Sequence, residues 1–414
     1  MIKVDEVYKR EEYLKKIRNF YNDTMIKVIT GIRRCGKSYL LKTIIEELKE
    51  DGILDKDIIY IELDRKEYKH IVTPDELEKA IDALIIDNDF KYLFIDEVQN
   101  VIGFEPVIIS YMEEGNYSIF LTGSNSYLLS GELATKLTGR YIEIEMLPLN
   151  FYEYVDMKKF LGKKINSNIY LEFEEFIRNG GFPRSLQYDN YEDKLLYTQS
   201  IINQIFDKDI KKHKKIKDSD LFQMVQKFVI NNFGSRISIG NIYDYLKKDS
   251  NRNVDRRTLN NYIDILEKAK IIYPCDMFDM KSKKILDGEK KYYLADLSIY
   301  FAFNTDNRIN YGPVLENVLF SYLKSKNYSL SVGKIGKLEC DFIARKGIDE
   351  YFYIQISKNI DDEKTMMREY KPFFEIKELY PRYLFLLDLI LKKNVSGIHN
   401  VNIVDFIYNH EDLK

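Results

Sequence analysis

The stretch 28–41, VITGIRRCGKSYLL, decides the fold of the first third of the chain. Gly31 is followed by four residues and then by Gly36, Lys37 and Ser38, which fits the pattern G-x-x-x-x-G-K-[ST]. The residues before the pattern read as a short buried strand, and apolar residues after it recur at helical spacing. In a strand–turn–helix unit of this kind, the backbone N–H groups of the turn and the helix N-terminus bind phosphate. The sequence therefore predicts a phosphate-binding loop.

Two side chains of this loop have a predicted chemical role. Lys37 would reach the β- and γ-phosphates of a nucleotide, and the hydroxyl of Ser38 would bind Mg²⁺. A purely structural glycine turn is the alternative, but the strand and the helix on either side favour phosphate binding. The residues predicted to bind the nucleotide are Gly31, Ile32, Arg33, Arg34, Cys35, Gly36, Lys37, Ser38 and Tyr39.

A second motif, KYLFIDEVQN at 91–100, supports the first. It reads as an apolar strand that ends in Asp96 and Glu97. P-loop NTPases hold Mg²⁺ with the hydroxyl of the loop and with an Asp that ends a neighbouring parallel strand, a role that Asp96 fits. Glu97 fits the base that orients and deprotonates the attacking water. Charged strand ends are common on their own, but beside a phosphate loop the Asp-Glu pair favours hydrolysis over simple nucleotide storage.

Two further positions are candidates for the same site. Polar residues follow the third strand, and Thr122, Ser124 or Asn125 could sense the γ-phosphate and position the water; each could equally belong to an ordinary polar turn. We include Asn125 among the candidate catalytic residues. Arg140 could stabilise the transferred charge as an arginine finger, in cis or from a neighbouring subunit, or it could form a structural salt bridge.

The first 150 residues alternate strands with helices, which is typical of a parallel sheet covered by helices on both faces. The predicted strands are Met25–Thr30, Ile58–Glu62, Tyr92–Asp96, Ser118–Thr122 and Tyr141–Met146. The predicted helices are Tyr39–Lys49, Pro74–Ile86, Phe104–Glu114 and Ser126–Lys136.

Five segments of the chain resemble the prokaryotic ATP-binding proteins of the AAA superfamily that carry a C-terminal domain of uncharacterised function. These segments are TGIRRCGKS (30–38), LFIDEVQ (93–99), LTGSNSYLLSGELATKLTGRY (121–141), MLPLNFYEY (146–154) and GGFP (180–183). The resemblance implies ATP and Mg²⁺ as cofactors, and the nucleotide-site roles of the family map onto Gly36, Lys37, Ser38, Asp96 and Glu97. It does not supply a cellular role.

The fold class that we predict is α/β, in four parts. Residues 1–150 form a P-loop ATPase core, and 151–217 form a helical lid and a basic linker whose lysines, from Lys208 to Lys217, could also contact phosphates. Residues 218–303 form a winged helix-turn-helix domain. Residues 304–414 form a small α+β domain that resembles restriction endonucleases.

Three amphipathic helices and a hairpin with a lysine-rich tip underlie the winged-helix prediction. The third helix, Asp255–Lys268, would present Arg256, Arg257, Asn260 and Asn261 to a groove of double-stranded DNA. Between Arg236 and Lys270, eight Lys and Arg residues stand against five Asp and Glu residues, which is a modest excess, and winged helices also dock proteins. The sequence leaves both functions open.

The nuclease-like prediction rests on Glu316 in a helix and Asp341 in a strand. The usual signature of such nucleases ends in (Asp/Glu)-x-Lys, whereas Gln355 and Ser357 stand at these positions here. Lys358 is adjacent, but in a regular strand it points to the opposite face. We therefore expect a nuclease-like fold that does not cleave DNA, unless Lys358 or Lys337 enters the site.

Composition restricts the remaining possibilities. A net charge of −3 over 414 residues argues against binding of polyanions by the whole surface. No apolar run reaches the length of a membrane span, and charges alternate through the first twenty residues, unlike in a signal peptide. The three cysteines are widely spaced and show no metal-binding pattern. We expect a cytoplasmic protein with reduced thiols.

Together these observations predict a Mg²⁺-dependent ATPase that couples its nucleotide state to a macromolecular partner, with DNA as a candidate and with a possible change of oligomeric state. Two other functions stay open. One is a nucleotide-gated switch or regulator with little turnover, and the other is an ATP-controlled nuclease.

Overall fold

The structure is a computed structural model that describes residues 7–123, 137, 139–211, 216, 218–250, 254–304, 308–360, 362–387 and 394–414. Its helices are α1 Glu11–Ile17, α2 Lys37–Glu50, α3 Pro74–Asp82, α4 Glu105–Glu113, α5 Phe151–Phe160, α6 Ile169–Asn179, α7 Tyr191–Gln204, α8 Ser219–Asn231, α9 Ile239–Ser250, α10 Arg256–Lys268, α11 Ser298–Phe303, α12 Tyr311–Ser325, α13 Glu363–Glu375 and α14 Ile403–Tyr408. Its strands are β1 Ile26–Gly31, β2 Ile58–Glu62, β3 Lys91–Asp96, β4 Tyr117–Thr122, β5 Tyr141–Met146, β6 Arg236–Ile237, β7 Ile272–Asp279, β8 Lys284–Leu294, β9 Ser329–Ile335, β10 Leu338–Lys346, β11 Glu350–Ser357, β12 Arg382–Leu386, β13 Asn394–Val395 and β14 Ile398–Asn402.

The chain divides into two compact units. The first comprises Met1–Pro148, Asn203–Lys215 and Lys268–Lys270. The second comprises Leu149–Ile202, Ile216–Glu267 and Ile271–Lys414. Within the described part of the chain, no helix combines the length and the apolar character that crossing a bilayer requires.

The first unit is built on a five-stranded sheet in the order β2-β3-β4-β1-β5, and every neighbouring pair is parallel. This sheet is the one predicted from the alternation of strands and helices, with strand ends shifted by at most one residue. The helix predicted at 126–136 lies outside the described residues. Because the strands are parallel, their carboxyl ends share one edge, and α2 begins there, directly after β1 and the loop 31–36.

Two glycines of the predicted lid, Gly180 and Gly181, lie against the side chain of Asp296 in the second unit. The backbone N–H of Gly181 donates to the buried carboxylate of Asp296 at 2.6 Å. Gly180 has φ of 72°, and a Cβ atom there would lie 1.9 Å from Oδ1 of Asp296. Only glycine fits this position, because an L side chain would be strained by the backbone angle and blocked by the carboxylate.

Three helices and a hairpin follow, in the order that the sequence predicts. α8 is followed by the short strand β6, then by α9, α10 and the antiparallel pair β7–β8. β6 pairs with β8 and completes a three-stranded ribbon. The sequence predicts the strands of this hairpin at Ile271–Phe278 and Tyr292–Leu294, whereas β8 begins at Lys284, so the hairpin is longer than predicted. This element order agrees with that of a winged helix. The assignment of a winged-helix fold stays a prediction.

The ribbon continues into the C-terminal strands. All nine strands form one sheet in the order β13-β14-β12-β11-β10-β9-β7-β8-β6, in which β7 pairs in parallel with β9. The sequence predicts a domain boundary between residues 303 and 304, whereas the sheet runs across it. Parallel pairing of strands that are far apart in the chain leaves no local sequence pattern, which is why this continuity was not predicted.

Candidate active site

The loop between β1 and α2 has the backbone that a phosphate cradle requires. Gly31 has φ of 140° and Gly36 has φ of 113°, values that L side chains rarely adopt. A Cβ atom on Gly31 would lie 2.2 Å from the carbonyl oxygen of Met146, at the end of β5. Both glycines of the motif are therefore required by the local structure.

Lys37, the first residue of α2, folds back over this loop. Its ammonium group donates to the carbonyl oxygens of Gly31 at 3.1 Å and Ile32 at 3.4 Å, and the side chain is buried. Both acceptors are neutral, so a charged phosphate oxygen would be a stronger partner at the same place. The geometry agrees with the predicted role of Lys37.

Asp96 ends β3 beside the loop and is almost completely buried. It is hydrogen-bonded to the hydroxyls of Thr122 and Ser38, which partly offset the effect of burial. Burial nevertheless raises the pKa of Asp96 above its usual range. A hydroxyl and a carboxylate that meet in a buried place are the hard oxygen ligands that Mg²⁺ prefers, so the donor set fits the predicted metal.

Glu97 adopts an uncommon backbone conformation, with φ of 59° and ψ of 45°. Its N–H donates to Oγ1 of Thr122 at 3.0 Å, and its carboxylate accepts a hydrogen bond from Nε2 of Gln99. Thr122 thus links the backbone of Glu97 to the carboxylate of Asp96. The structure brings both acidic residues of the second motif to the edge of the sheet where the phosphate loop lies.

Arg140 lies at the opposite edge of the sheet. It directly precedes β5, and its carbonyl accepts from the N–H of Ile26 at the start of β1. A strand of six residues spans about 20 Å, which separates Arg140 from the loop of its own chain. This distance argues against an arginine finger in cis, and Arg140 forms a salt bridge with Glu113 at 3.2 Å, which is the alternative that the sequence leaves open. Asn125 and Ser124 lie outside the described residues.

The side chains of the other predicted loop residues differ in exposure. The side chain of Cys35 is fully buried, and burial raises the pKa of its thiol. Ile32 is buried as well, whereas Arg34 is exposed with φ of 70° and reaches Gln204 at 3.5 Å. Tyr39 is 61% exposed on α2.

Arg33 is half-buried in the same loop. Its contact with the nucleotide stays a prediction.

Two residues near the site were missed by the sequence analysis. Arg10 is buried and donates to the carbonyls of Cys35 at 3.2 Å and Leu147 at 2.7 Å, so it ties the loop to the end of β5. Glu62 ends β2 directly opposite Asp96 and adds a negative charge at this edge. Arg10 and Glu62 belong to no motif. Only the predicted strand that ends at Glu62 could have indicated Glu62 from the sequence.

The candidate nuclease residues Glu316 and Asp341 of the second unit lie near a lysine, Lys291, that the sequence did not indicate. Lys291 of β8 is buried and lies 2.9 Å from Oε2 of Glu316 and 2.7 Å from Oε1 of Glu339. The N–H of Asp341 donates to Oε1 of Gln355 at 2.7 Å. The cation at this cluster thus comes from β8, and neither Lys358 nor Lys337 pairs with these carboxylates in the described structure.

The other two lysines lie elsewhere. The ammonium of Lys358 lies over the ring of Tyr311 at 4.6 Å, and Lys337 is exposed at a turn. Burial and the charge of Glu316 raise the pKa of Asp341 well above its usual range.

The four α10 residues predicted to face DNA are all exposed: Arg256, Arg257, Asn260 and Asn261. They lie at helical positions i, i+1, i+4 and i+5, in the N-terminal half of α10, so they share one face. The guanidinium of Arg256 lies over the ring of Tyr243 of α9 at 5.8 Å, which orients it. The surface is therefore available to a ligand.

Comparison with known proteins gives two family matches. A family described as an AAA domain matches residues 23–155, and a domain of unknown function (DUF8612) matches residues 170–308. An uncharacterized protein of Haemophilus influenzae is 31% identical over 404 residues, which are 96% of this chain and 98% of the relative. The uncharacterized protein MJ1544 of Methanocaldococcus jannaschii is 32% identical over 420 residues, or 99% and 87% of the two chains.

Among solved structures, the Walker-type ATPase PABY2304 of Pyrococcus abyssi is similar with a TM-score of 0.50 at 16% identity. The match covers 73% of this chain and 97% of that one. This similarity shows a shared fold, in which the five-stranded parallel sheet is that of a P-loop NTPase.

Proposed function

Since the chain belongs to one family with these two uncharacterized relatives and carries an AAA domain at residues 23–155, we propose that it binds and hydrolyses ATP with Mg²⁺. The observation that carries the proposal is the convergence of Lys37, Ser38, Asp96 and Glu97 at one edge of the sheet. Two distant motifs thus supply these four residues to one part of the sheet.

The residues divide the work as follows. The loop N–H groups and Lys37 bind and orient the phosphates. Ser38 and Asp96 would hold Mg²⁺, which when bound neutralises charge on the phosphate oxygens. Glu97 accepts the proton of the attacking water. Burial of Asp96 excludes bulk water from the metal ligand, which strengthens its attraction for a cation.

The test is ATP binding and turnover in three variants. Lys37→Ala should abolish binding, because it removes the charged donor to the phosphates. Glu97→Gln should keep ATP bound and slow turnover by roughly 10²-fold or more, in line with the loss of a general base. Lys49→Ala, an exposed lysine of the same helix, is the control and should change neither quantity. Turnover that Glu97→Gln leaves unchanged would contradict the proposal.

We also propose that the nucleotide state acts on a macromolecular partner, and that this partner is double-stranded DNA bound through α10. Support comes from the exposed face of Arg256, Arg257, Asn260 and Asn261 at the N-terminal end of the helix. If the protein assembles, Arg140 of one protomer would be the residue to test as an arginine finger for the site of its neighbour. The cytoplasm, where buried unpaired cysteines stay reduced, is the location we propose.

A further inference from the structure

Gln99 is a polar residue of the second motif that has no role in the proposed mechanism. It lies in the turn after β3, is only 7% exposed, and donates through Nε2 to the carboxylate of Glu97. An ionised carboxylate only accepts hydrogen bonds, so this contact fixes which end of the amide faces Glu97. Oε1 then faces away from it, and that atom is buried with no hydrogen-bond partner among the described residues.

The amide is therefore oriented by one contact alone. A buried carbonyl oxygen without a donor costs free energy, and a leucine of similar volume would avoid that cost. Packing thus gives no reason for an amide at this position. The hydrogen bond to Glu97 is the favourable interaction that the amide makes in the described structure.

Glu97 needs such an anchor because its backbone is unusual. A non-glycine residue in the left-handed region is strained, and such residues keep this conformation only where their surroundings impose it. Thr122 holds the N–H of Glu97, and Gln99 holds its carboxylate. The two contacts fix the residue at both ends, so the direction of the carboxylate follows from Gln99.

We propose that Gln99 is a positioning residue that aims the carboxylate of Glu97 at the attacking water, an inference that rests on the proposed ATPase activity. Among the described residues, the side chain of Gln99 forms no hydrogen bond with the loop 31–36, and we infer that it acts through Glu97. Its loss should lower the rate of the chemical step and leave ATP binding intact.

The experiment measures kcat, the Kd for ATP and thermal stability in Gln99→Leu. We expect kcat to fall on the order of 10- to 100-fold, the scale of effects that misplacement of a catalytic group produces. The Kd for ATP should stay unchanged, and the melting temperature should not fall, since the substitution removes the buried acceptor without a partner. Gln226→Leu is the matched control, because Gln226 is also a buried glutamine with an amide atom that has no partner in the described structure.

A double variant separates positioning from a general structural role. In the Glu97→Gln background, Gln99→Leu should lower the residual turnover by no more than about 2-fold, because its target carboxylate is already gone. An equal loss in both backgrounds, a weaker affinity for ATP, or unchanged or faster turnover in the single variant would overturn the inference. If Lys37→Ala and Glu97→Gln are themselves without effect, the proposed function fails, and this result is distinct from a failure of Gln99→Leu alone.

Discussion

Asp296 illustrates how one buried side chain constrains distant positions. Its two carboxylate oxygens accept from the N–H groups of Gly181 at 2.6 Å and Ser298 at 2.9 Å. The Asp296 carboxylate leaves no room for a Cβ atom on Gly180, and the carbonyl oxygen of Leu149, 2.1 Å from a Cβ atom built on Gly181, leaves none there. The pair is therefore a packing requirement of the second unit, and a contact with nucleotide is not needed to account for it.

Burial raises the pKa of Asp296 to about 6, while its hydrogen bonds oppose the shift. The folded state thus holds a proton between about pH 4 and 6 that the unfolded state has already lost, so this group favours folding at low pH. Asp296→Asn cannot titrate. We expect the stability of the wild type relative to this variant to decrease from pH 4 to pH 6.5, by on the order of 2–3 kcal/mol, and then to level off. Thermal melts of both proteins across this range provide the measurement, and a constant difference would contradict the assignment.

Two alanine substitutions compare glycines of positive φ at the lid. Gly162 and Gly180 have similar φ values, 65° and 72°, but a Cβ atom on Gly162 would meet open space. Gly162→Ala should cost about 1–2 kcal/mol of unfolding free energy, the price of the left-handed conformation. Gly180→Ala should cost clearly more, because its methyl group collides with Asp296 and because φ of 72° with ψ of −175° is a conformation that essentially only glycine adopts. Denaturant unfolding of both variants gives the comparison, and equal losses would exclude the clash as the cause.

At the scale of single elements, α10 is where DNA binding can be tested. Arg256→Glu with Arg257→Glu should weaken binding of duplex DNA steeply and flatten its dependence on salt, because fewer counterions are released. Lys15→Glu with Lys79→Glu changes the net charge equally on exposed sites of α1 and α3 and serves as the control. Fluorescence anisotropy at several salt concentrations measures both effects. DNA binding that the α10 substitutions leave unchanged would favour a role for this module in docking a protein. The absence of DNA binding, with or without ATP, would favour the same role.

The carboxylate cluster around β10 should not cut DNA. The ammonium of Lys291 is held between Glu316 and Glu339, and Gln355 binds the backbone of Asp341. A metal-dependent nuclease needs carboxylates free to bind the ion and a cation beside the attacking water. We expect neither plasmid nor single-stranded DNA to be cleaved with Mg²⁺ or Mn²⁺, in the wild type or in Asp341→Ala. Cleavage by the wild type that disappears in Asp341→Ala would make the protein an ATP-controlled nuclease.

At the scale of the whole molecule, the two units differ in how far the sequence predicts them. The five-stranded sheet follows from local signals, since each strand and each polar strand end is visible in a few consecutive residues. The approach of Lys37, Asp96 and Glu97 follows from the same topology. Arg10 and Lys291 could not be predicted, because they belong to no motif themselves and their partners lie far away in the chain. The role inferred for Gln99 depends on a left-handed residue that no pattern indicates.

The pairing of β7 limits which segments of this chain recombination can exchange. It pairs with β8 on one side and with β9 on the other, through Met277–Val332, Phe278–Gly333 and Asp279–Lys334. Recombination that joined residues up to 303 to an unrelated C-terminal segment would leave β7 without a partner strand on the side of β9. An unpaired strand edge can pair with strands of other chains. We therefore expect the hairpin and the C-terminal strands to be inherited together. A substitution that weakens the pairing in β7 or β9 should favour a compensating substitution in the other strand.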